Sequence, residues 1–309
     1  MKLLEDEFGY TLLKRSRQDV SLTLLGEVFL PEARDILQRT DEAVRRLKAS
    51  ASGVVGRLSI GFVDNVLWTL LTPIIGGCYV LGSAASNDGL NWQLATENAA
   101  VVVSVDYRLA PETRFPGPVD DCYTGLRWLF QNAGTLEVDE RRITIMGDSA
   151  GGGLAAATTL LARDRREFLP SGVMLIYPML DHRSGSDQEV QPNPTTGGFV
   201  WTAQDNRFGW SAMKGTYAVD DERAGYFSPG LAERLDGFPQ LFLAVGALDL
   251  FLEEGVNFAL RASRACVPVE CHVYPGAVHG FDLMGDTALG RQFRFDRHAA
   301  LSRWNARFE

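Results

Sequence analysis

From residue 98 to the end of the chain, short apolar runs alternate with longer stretches of amphipathic sequence. The short runs predict buried strands, and the stretches whose apolar residues recur every three or four positions predict helices. The strands are predicted at 100–106, 142–147, 172–177, 240–246 and 268–274, and the helices at 119–131, 150–163, 253–265 and 288–307. This alternation indicates an α/β fold, with a mostly parallel sheet and helices on both faces.

Apolar patterning also extends into the first 75 residues. RLSIGFV at 57–63 predicts an edge strand, and LLTPII at 70–75 predicts a strand that enters the sheet just before Gly76. Further upstream, apolar side chains recur at three- and four-residue intervals between charged residues, which predicts an amphipathic helix. Its apolar stripe comprises Phe29, Leu30, Ala33, Ile36, Leu37, Val44 and Leu47.

A G-x-S-x-G sequence joins the strand predicted at 142–147 to the Ala/Leu-rich helix that follows it. Ser149 stands at its centre, between Gly147 and Gly151. Glycine lacks the Cβ that would clash where a strand reverses tightly into a helix. The context predicts a nucleophile elbow with an exposed serine hydroxyl. The backbone N–H of Ala150, at the start of the predicted helix, is then expected to point at the developing oxyanion. The plainer alternative is an ordinary glycine-rich loop.

A serine nucleophile needs a histidine base and a carboxylate that orients it, and after such an elbow they follow in the order Asp/Glu, then His. Of the four histidines, His279 lies in a glycine-bounded loop directly after the strand predicted at 268–274. A loop in this place can carry the imidazole over the serine. His272 falls inside the strand, and we expect His182 and His298 to be solvated.

Asp249 is the preferred carboxylate because it lies just past the strand predicted at 240–246. Glu253 and Glu254 are alternatives by charge alone. Both fall at the start of the next helix, where carboxylates commonly interact with the helix dipole. The residues and their order therefore predict a triad of Ser149, Asp249 and His279.

Motifs that run in order from Gly76 onward resemble the bacterial hormone-sensitive-lipase-like (family IV) esterases, a branch of the α/β hydrolases. They include GGCYVLGS at 76–83, VVSVDYRLAPE at 102–112, VDERRITIMGDSAGGG at 138–153, GALDLF at 246–251 and YPGAVHGF at 274–281. The resemblance implies an α/β-hydrolase domain over 76–309 with helical cap or lid elements. It also implies a serine hydrolase of short-to-medium acyl esters that forms an acyl-enzyme with the same triad and needs no cofactor or metal.

The loop that precedes the aromatic Tyr79 departs from this family. The family carries His-Gly-Gly-Gly there, whereas this chain has Ile75, Gly76, Gly77 and Cys78. An oxyanion hole uses backbone N–H groups, so Gly77 and Cys78 remain the expected donors beside Ala150. A positive φ at Cys78 would cost about 1 kcal/mol. Cys78 as the nucleophile is the sharper alternative, but no Cys-His-Asn pattern surrounds it.

Residues 1–75 resemble part of a LysR-type transcriptional regulator, from the end of the recognition helix to the first strand and helix of the effector domain. The resemblance stops near Ile75, so the chain resembles a fusion with its junction just before Gly76. The helices that brace a recognition helix are not in the sequence, and residues 1–50 hold nine Lys/Arg and nine Asp/Glu. Without a basic excess we expect no nucleic-acid partner. We expect the amphipathic stripe to serve as a replacement cap or a homodimer contact.

The segment 182–236 breaks the strand–helix alternation and is predicted to be a lid insertion. Its aromatic residues are expected either to line a compact acyl or alcohol pocket or to pin the segment to the core. They are Trp201, Phe208, Trp210, Tyr217, Tyr226 and Phe227.

Net charge, the length of the apolar runs and the spacing of the cysteines further restrict the class of protein. The net charge of −9, the acidic N-terminus and the lack of a membrane-length apolar run favour a cytoplasmic enzyme with no membrane partner. The family resemblance implies that its partner is a small-molecule ester substrate. The four cysteines have neither metal-site spacing nor a disulfide pattern. A lactonase, amidase or thioesterase with the same triad remains an alternative, as does a non-catalytic regulator derived from the LysR-like segment.

Overall fold

The computed structural model of the chain describes residues 10–15, 20–23, 25–26, 29–30, 57–61, 68–76, 79–189 and 192–308. The chain divides into two compact units, Met1–Val55 and Gly56–Glu309. In the first unit, strand β1 (Leu13–Arg15) pairs antiparallel with β2 (Val20–Leu22). Phe29 and Leu30 of the predicted apolar stripe are helical, and the other residues of the stripe lie outside the described residues.

The second unit contains a sheet whose strands are β3 (Arg57–Gly61), β4 (Trp68–Gly76), β5 (Ala100–Asp106), β6 (Thr144–Ser149), β7 (Gly172–Ile176), β8 (Gln240–Gly246) and β9 (Val269–Tyr274). Their order across the seven-stranded sheet is β3-β5-β4-β6-β7-β8-β9. The edge strand β3 is antiparallel to β5, and every other neighbouring pair is parallel. The predicted parallel α/β fold is confirmed, and so are the edge strand within 57–63 and the strand that includes 70–75.

Helices cover both faces of this sheet. The α-helices described in this unit are α1 (Asp88–Asn98), α2 (Gly117–Asn132), α3 (Ala150–Arg165), α4 (Ala203–Lys214), α5 (Ala224–Phe227), α6 (Leu252–Arg264) and α7 (Ala288–Asn305). On β6, Gly147 faces the start of α3. The adjacent Met146 and Asp148 instead line a cavity with Leu94 of α1 and Arg297 of α7. Because alternate residues of a strand point to opposite faces, α3 and the α1/α7 pair lie on opposite sides.

The central strands form the core of the unit. All five residues of β7 and six of the seven residues of β8 are buried. A strand that is covered on both faces needs apolar residues at every position, which explains why these segments read as continuous apolar runs. Helix α3 is buried from Ala150 to Ala162, and its alanines and glycines let it lie close to the sheet directly behind Ser149.

Strand β6 is displaced by two residues from its predicted position. It begins at Thr144 because residues 140–142 form a 3₁₀ turn, whose N-cap Asp139 accepts a hydrogen bond from the Arg141 N–H. The strand then runs to Ser149 itself. The serine therefore occupies the last position of a buried strand and the N-cap position of α3.

The lid insertion contains helices α4 and α5 and is hydrogen-bonded to the segment that follows β7. Helix α4 starts with a capping box in which the side chains of Thr202 and Asp205 and their backbone N–H groups satisfy one another. Within this helix, the fully buried Asn206 donates from Nδ2 to the carbonyl oxygen of Ser184 at 2.7 Å. This bond joins α4 to the start of the insertion. The hydroxyl of Ser228 donates to the carbonyl oxygen of Leu180 at 3.1 Å, which holds the insertion against the segment that follows β7.

Candidate active site

The turn between β6 and α3 holds Ser149 in a strained backbone conformation. Its φ of 56° and ψ of −123° lie outside the regions that L-residues ordinarily occupy. The reversal is so tight that a Cβ at Gly147 would come within 2.1 Å of the carbonyl oxygen of Gly151. The glycine-rich sequence therefore makes a sharp elbow rather than an ordinary loop. It holds the serine side chain at the carboxyl edge of the sheet.

Three side chains from separate loops meet at this edge. Nε2 of His279 lies 2.9 Å from Oγ of Ser149, and Nδ1 of His279 lies 2.8 Å from Oδ2 of Asp249. The other carboxylate oxygen, Oδ1 of Asp249, accepts the N–H of Phe251 at 3.0 Å. Asp249 is 1% exposed and His279 is 7% exposed. The structure thus brings together all three residues predicted from the order of the motifs.

Aromatic rings surround the imidazole of His279. The ring centroids of Tyr177 and Phe251 lie 4.7 and 5.2 Å away, both in edge-on arrangements. The indole of Trp201 lies 5.8 Å away at a tilt of 36°. These rings shield the imidazole from water and restrict its rotation, so its two hydrogen bonds are made in a largely apolar surrounding.

The N-terminus of α3 supplies the first candidate oxyanion donor. Ala150 is the first residue of the helix, where the backbone N–H has no acceptor within the helix. Gly77 and Cys78, the other predicted donors, lie outside the described residues. The strand before them ends at Gly76, whose register partner on the neighbouring β6 is Ser149 itself. The strand therefore ends beside the serine.

Charged groups lie on the opposite side of β6 from α3. Burial, together with the nearby charge of Asp282, raises the pKa of Asp148 to about 8, whereas the charge of Arg297 opposes that shift. Asp148 directly precedes Ser149 in the chain, and its side chain lines the cavity between α1 and α7. It is therefore protonated over most of the range in which ordinary aspartates are ionised.

The remaining histidines have other partners. His272 lies in β9 with Nε2 at 2.8 Å from Oε1 of Glu270, and His298 is exposed on α7. The expectation that His182 is solvated is wrong. It packs against Trp210 and Phe227, and burial lowers its pKa. These aromatic partners come from the lid insertion, and no local pattern around His182 indicates them.

The two alternative carboxylates also lie away from the triad. Glu253 accepts a hydrogen bond from Asn193 at 2.9 Å. Glu254 is buried, where it accepts the N–H of Leu180 at 2.6 Å and the hydroxyl of Ser184. It therefore fixes the segment after β7 instead of interacting only with the dipole of its own helix.

Only one of the aromatic residues in the lid insertion contacts His279. Tyr217 and Phe227 both pack on Phe115, at ring-centroid distances of 4.7 and 5.5 Å. Trp210 packs on Tyr79 at 5.3 Å, and these contacts pin the insertion to the core. Tyr226 donates its hydroxyl proton to Asp164 on α3, and Phe208 is 64% exposed. Trp201 is the ring that reaches the imidazole. Most of the six aromatic residues therefore make contacts of the second kind expected from the sequence, which pin the segment to the core.

A search of the described residues finds no cluster of three or more His, Cys, Asp or Glu side chains arranged to hold a metal ion. Among the same residues, no helix has the length and apolar character needed to cross a membrane. Tyr177 and Asp282 are two residues near the triad that motif spacing does not reveal. Their hydrogen bond joins positions that are 105 residues apart.

Comparison with known proteins agrees with this geometry. The sequence model of a family described as having the alpha/beta hydrolase fold matches residues 74–283. The chain is 34% identical to an arylesterase of Saccharolobus solfataricus over 70% of this chain and 69% of that protein. It is 33% identical to an ethyl acetate hydrolase of Pseudomonas putida over 68% and 65% of the two chains. The matched segment thus spans about two thirds of the length of these curated relatives.

Solved structures give the same assignment. A bacterial heroin esterase superposes with a TM-score of 0.75 and 34% identity, over 81% of this chain and 79% of that one. An esterase of Pyrobaculum calidifontis superposes with a TM-score of 0.71 and 31% identity, over 80% of each chain. The chain therefore belongs to the α/β hydrolase family that includes the hormone-sensitive-lipase-like esterases, and its similarity to named esterases supports a carboxylic ester hydrolase of the carboxylesterase type.

Proposed function

We propose that this chain hydrolyses carboxylic esters of short-to-medium acyl length through an acyl-enzyme formed on Ser149. The observation that carries the proposal is the hydrogen-bonded chain from Ser149 through His279 to Asp249, with heavy-atom distances of 2.9 and 2.8 Å. The serine lies on a strained elbow at the carboxyl edge of the sheet, as a nucleophile of this fold requires.

In the acylation step, Oγ of Ser149 attacks the ester carbonyl carbon while Nε2 of His279 accepts the hydroxyl proton. The new C–O bond converts the carbonyl into an oxyanion. Nδ1 of His279 donates to Asp249, whose buried carboxylate stabilises the imidazolium. Collapse of the tetrahedral intermediate breaks the ester C–O bond, and the imidazolium gives its proton to the departing alkoxide.

Deacylation repeats the sequence with water in the place of the serine. His279 accepts a proton from the water as its oxygen attacks the acyl carbon. The second intermediate expels Oγ of Ser149, which regains the proton from the imidazolium, and the carboxylic acid leaves. Both half-reactions need the imidazole of His279 within hydrogen-bond reach of Oγ of Ser149 and of a second oxygen atom. That atom belongs to the leaving alcohol in acylation and to the attacking water in deacylation.

We assign oxyanion stabilisation to three backbone N–H groups, those of Ala150, Gly77 and Cys78. Ala150 contributes through its position at the start of α3. The pairing of Gly76 with Ser149 supports the other two assignments, because the strand that precedes them in the chain ends beside the nucleophile. Replacement of the family histidine by Ile75 leaves these backbone donors in the sequence.

The substrate is an ester of a small alcohol or phenol. Among the similar proteins, the names ethyl acetate hydrolase and arylesterase support this class. Trp201, whose ring lies 5.8 Å from that of His279, adds an apolar wall on the side of the imidazole. A lactonase, amidase or thioesterase would use the same triad, so the nature of the leaving group distinguishes these alternatives.

For residues 1–75 we propose a segment derived from a LysR-type regulator. Because β3 and β4 belong to the seven-stranded sheet, we propose the role of a cap or a homodimer contact for the stretch that precedes β3. The family match begins at residue 74, close to the proposed junction before Gly76, which supports the boundary. Residues 1–50 carry equal numbers of acidic and basic side chains. This balance of charge supports a role that does not involve binding to nucleic acid. We also propose a cytoplasmic location for the enzyme.

The first test compares Ser149→Ala with Ser302→Ala, which removes an exposed hydroxyl on α7. We expect Ser149→Ala to lower kcat on p-nitrophenyl butyrate by more than about a thousandfold, with the thermal unfolding temperature unchanged. Ser302→Ala should match the parent. A panel of p-nitrophenyl esters from acetate to palmitate then defines the chain-length preference. Turnover by Ser149→Ala within tenfold of the parent would move the nucleophile elsewhere.

A further inference from the structure

Tyr177 connects the imidazole of His279 to the loop that carries it. The tyrosine directly follows β7, is 2% exposed, and presents its ring edge-on to the imidazole at a centroid distance of 4.7 Å. Its hydroxyl donates to Oδ1 of Asp282 at 2.7 Å. Asp282 stands three residues after His279, in the 3₁₀ turn Phe281–Leu283. The same side chain therefore packs on the imidazole and bonds to the loop beyond it.

The loop between β9 and α7 is anchored on each side of His279. Upstream, the carbonyl oxygen of Ala277 accepts the N–H of Leu248, next to Asp249, at 2.9 Å. Downstream, the Tyr177 hydroxyl holds Asp282. Gly280 lies between these anchors with a φ of 69°, and Leu283 is 58% exposed. Phe281, which precedes Asp282, is buried against Tyr274 and Phe293. The downstream half of the loop is thus anchored by this ring and by the side-chain hydrogen bond of Asp282.

We propose that Tyr177 and Asp282 form a positioning pair that keeps the imidazole of His279 within reach of both Ser149 and Asp249. The inference rests on the proposed ester hydrolysis, in which His279 moves a proton twice in each half-reaction. A displacement of about 1 Å in such a group can cost about a hundredfold in rate. Neither residue touches the reacting atoms, so both act through the histidine.

The surroundings of Asp282 suit this role. Asp148 on β6, Arg294 and Arg297 on α7 and Asp282 itself line one cavity of about 250 Å³. Burial, reinforced by the charges of Asp148 and Asp282, raises the pKa of the Tyr177 hydroxyl well above its ordinary value, so the hydroxyl remains a donor. Because Asp282 lines an existing cavity, shortening its side chain removes the acceptor without opening a new void in packed core.

The test uses a double-mutant cycle with a conservative variant. Tyr177→Phe and Asp282→Ala each remove the hydrogen bond, and we expect each to lower kcat on p-nitrophenyl butyrate about tenfold, with KM changed less than about twofold. The double variant should lose no more than either single variant, because all three lack the same interaction. Asp282→Asn keeps an acceptor oxygen for Tyr177, and we expect it to remain within about threefold of the parent.

The matched control is Tyr226→Phe, which removes a tyrosine–aspartate hydrogen bond of equal length, 2.7 Å, between the lid insertion and Asp164. It should leave kcat unchanged. Circular dichroism and thermal unfolding establish that each variant is folded. If Tyr177→Phe fails to fold, the comparison of Asp282→Asn with Asp282→Ala decides alone.

Three results would overturn the positioning role: kcat for Tyr177→Phe equal to that of the parent, equal losses in Asp282→Asn and Asp282→Ala, or additive losses in the double variant. Failure of the proposed function looks different. In that case the parent itself has no ester turnover and Ser149 does not react with a fluorophosphonate probe.

Discussion

The side chain of Asp249 allows a sharp prediction, because its two oxygens have different donors. Oδ1 accepts the N–H of Phe251 at 3.0 Å, and Oδ2 accepts from Nδ1 of His279 at 2.8 Å. In Asp249→Asn only one of these atoms is an acceptor. The backbone N–H of Phe251 cannot become an acceptor, so it retains the amide oxygen. The amide NH₂ then faces Nδ1.

This arrangement selects the wrong tautomer of His279. An NH₂ group facing Nδ1 requires that nitrogen to accept, so the imidazole proton moves to Nε2, which faces Oγ of Ser149 at 2.9 Å. A protonated Nε2 cannot take the serine proton. Loss of the correct tautomer in a triad of this kind costs about 10⁴ in kcat. Because the Asn side chain has nearly the same shape, we expect the fold and KM to change little.

The assay is kcat on p-nitrophenyl butyrate for Asp249→Asn beside Glu253→Gln. The second variant neutralises the neighbouring carboxylate that bonds Asn193, and we expect it to stay within about twofold of the parent. A kcat for Asp249→Asn within tenfold of the parent would refute the assignment. A larger loss in Glu253→Gln than in Asp249→Asn would transfer the orienting role to Glu253.

Three further predictions concern other parts of the chain. Cys78→Gly and Cys78→Ala keep the backbone N–H, so we expect changes in kcat far smaller than the loss of about 10²–10³ that follows removal of one oxyanion donor. A loss of kcat above a hundredfold in both variants would implicate the thiol. Deletion of residues 1–50 should cause aggregation or alter acyl-chain preference if the segment is a cap, and a soluble truncated protein with equal stability and the same preference would show a passive tail. The folded-state pKa of Asp148, raised to about 8, means that its stabilising contribution is complete below its ordinary pKa of 3.8 and is lost as pH rises toward 8. Asp148→Asn should therefore make the free energy of unfolding less dependent on pH across that range, and urea titrations of parent and variant that give identical pH slopes would contradict the assignment.

Much of the catalytic half of the fold follows from the sequence because its strands are covered on both faces. Strands β5, β7, β8 and β9 lie within one residue of their predicted bounds. The first three are mostly apolar and buried runs that end at a loop, whereas the edge strand β9 contains Glu270 and His272 and buries only Tyr274. Helix α1 is the exception. Its sequence DGLNWQLATEN buries Asn91, Leu94 and Ala95 and lacks a one-sided apolar stripe, so periodicity does not predict it.

The triad is predictable for a topological reason. Parallel strands bring their carboxyl ends to one edge of the sheet, so a serine, an aspartate and a histidine that each follow a strand are brought near one another. The order of the motifs then selects Asp249 over the two glutamates that follow. Sequence alone does not place the oxyanion donors Gly77 and Cys78, which stay a prediction.

The contacts that sequence reasoning misses are long-range side-chain contacts. Glu254 bonds Leu180 and Ser184 across 74 and 70 residues, and Tyr177 bonds Asp282 across 105. His182 packs against two rings of the lid insertion, those of Trp210 and Phe227. Helical or strand periodicity reports which face of an element is apolar, but it carries no information on which distant polar group a buried side chain meets.

The most direct test of the account is the site of acylation. Purified protein is mixed with p-nitrophenyl butyrate, quenched in acid within the first turnover, and mapped by peptide mass spectrometry. We predict one butyryl group on Ser149, none on the same peptide of Ser149→Ala, and loss of the adduct as hydrolysis proceeds. A butyryl group on Cys78, or p-nitrophenol release with Ser149 unmodified at every quench time, would contradict the assignment of Ser149 as the nucleophile.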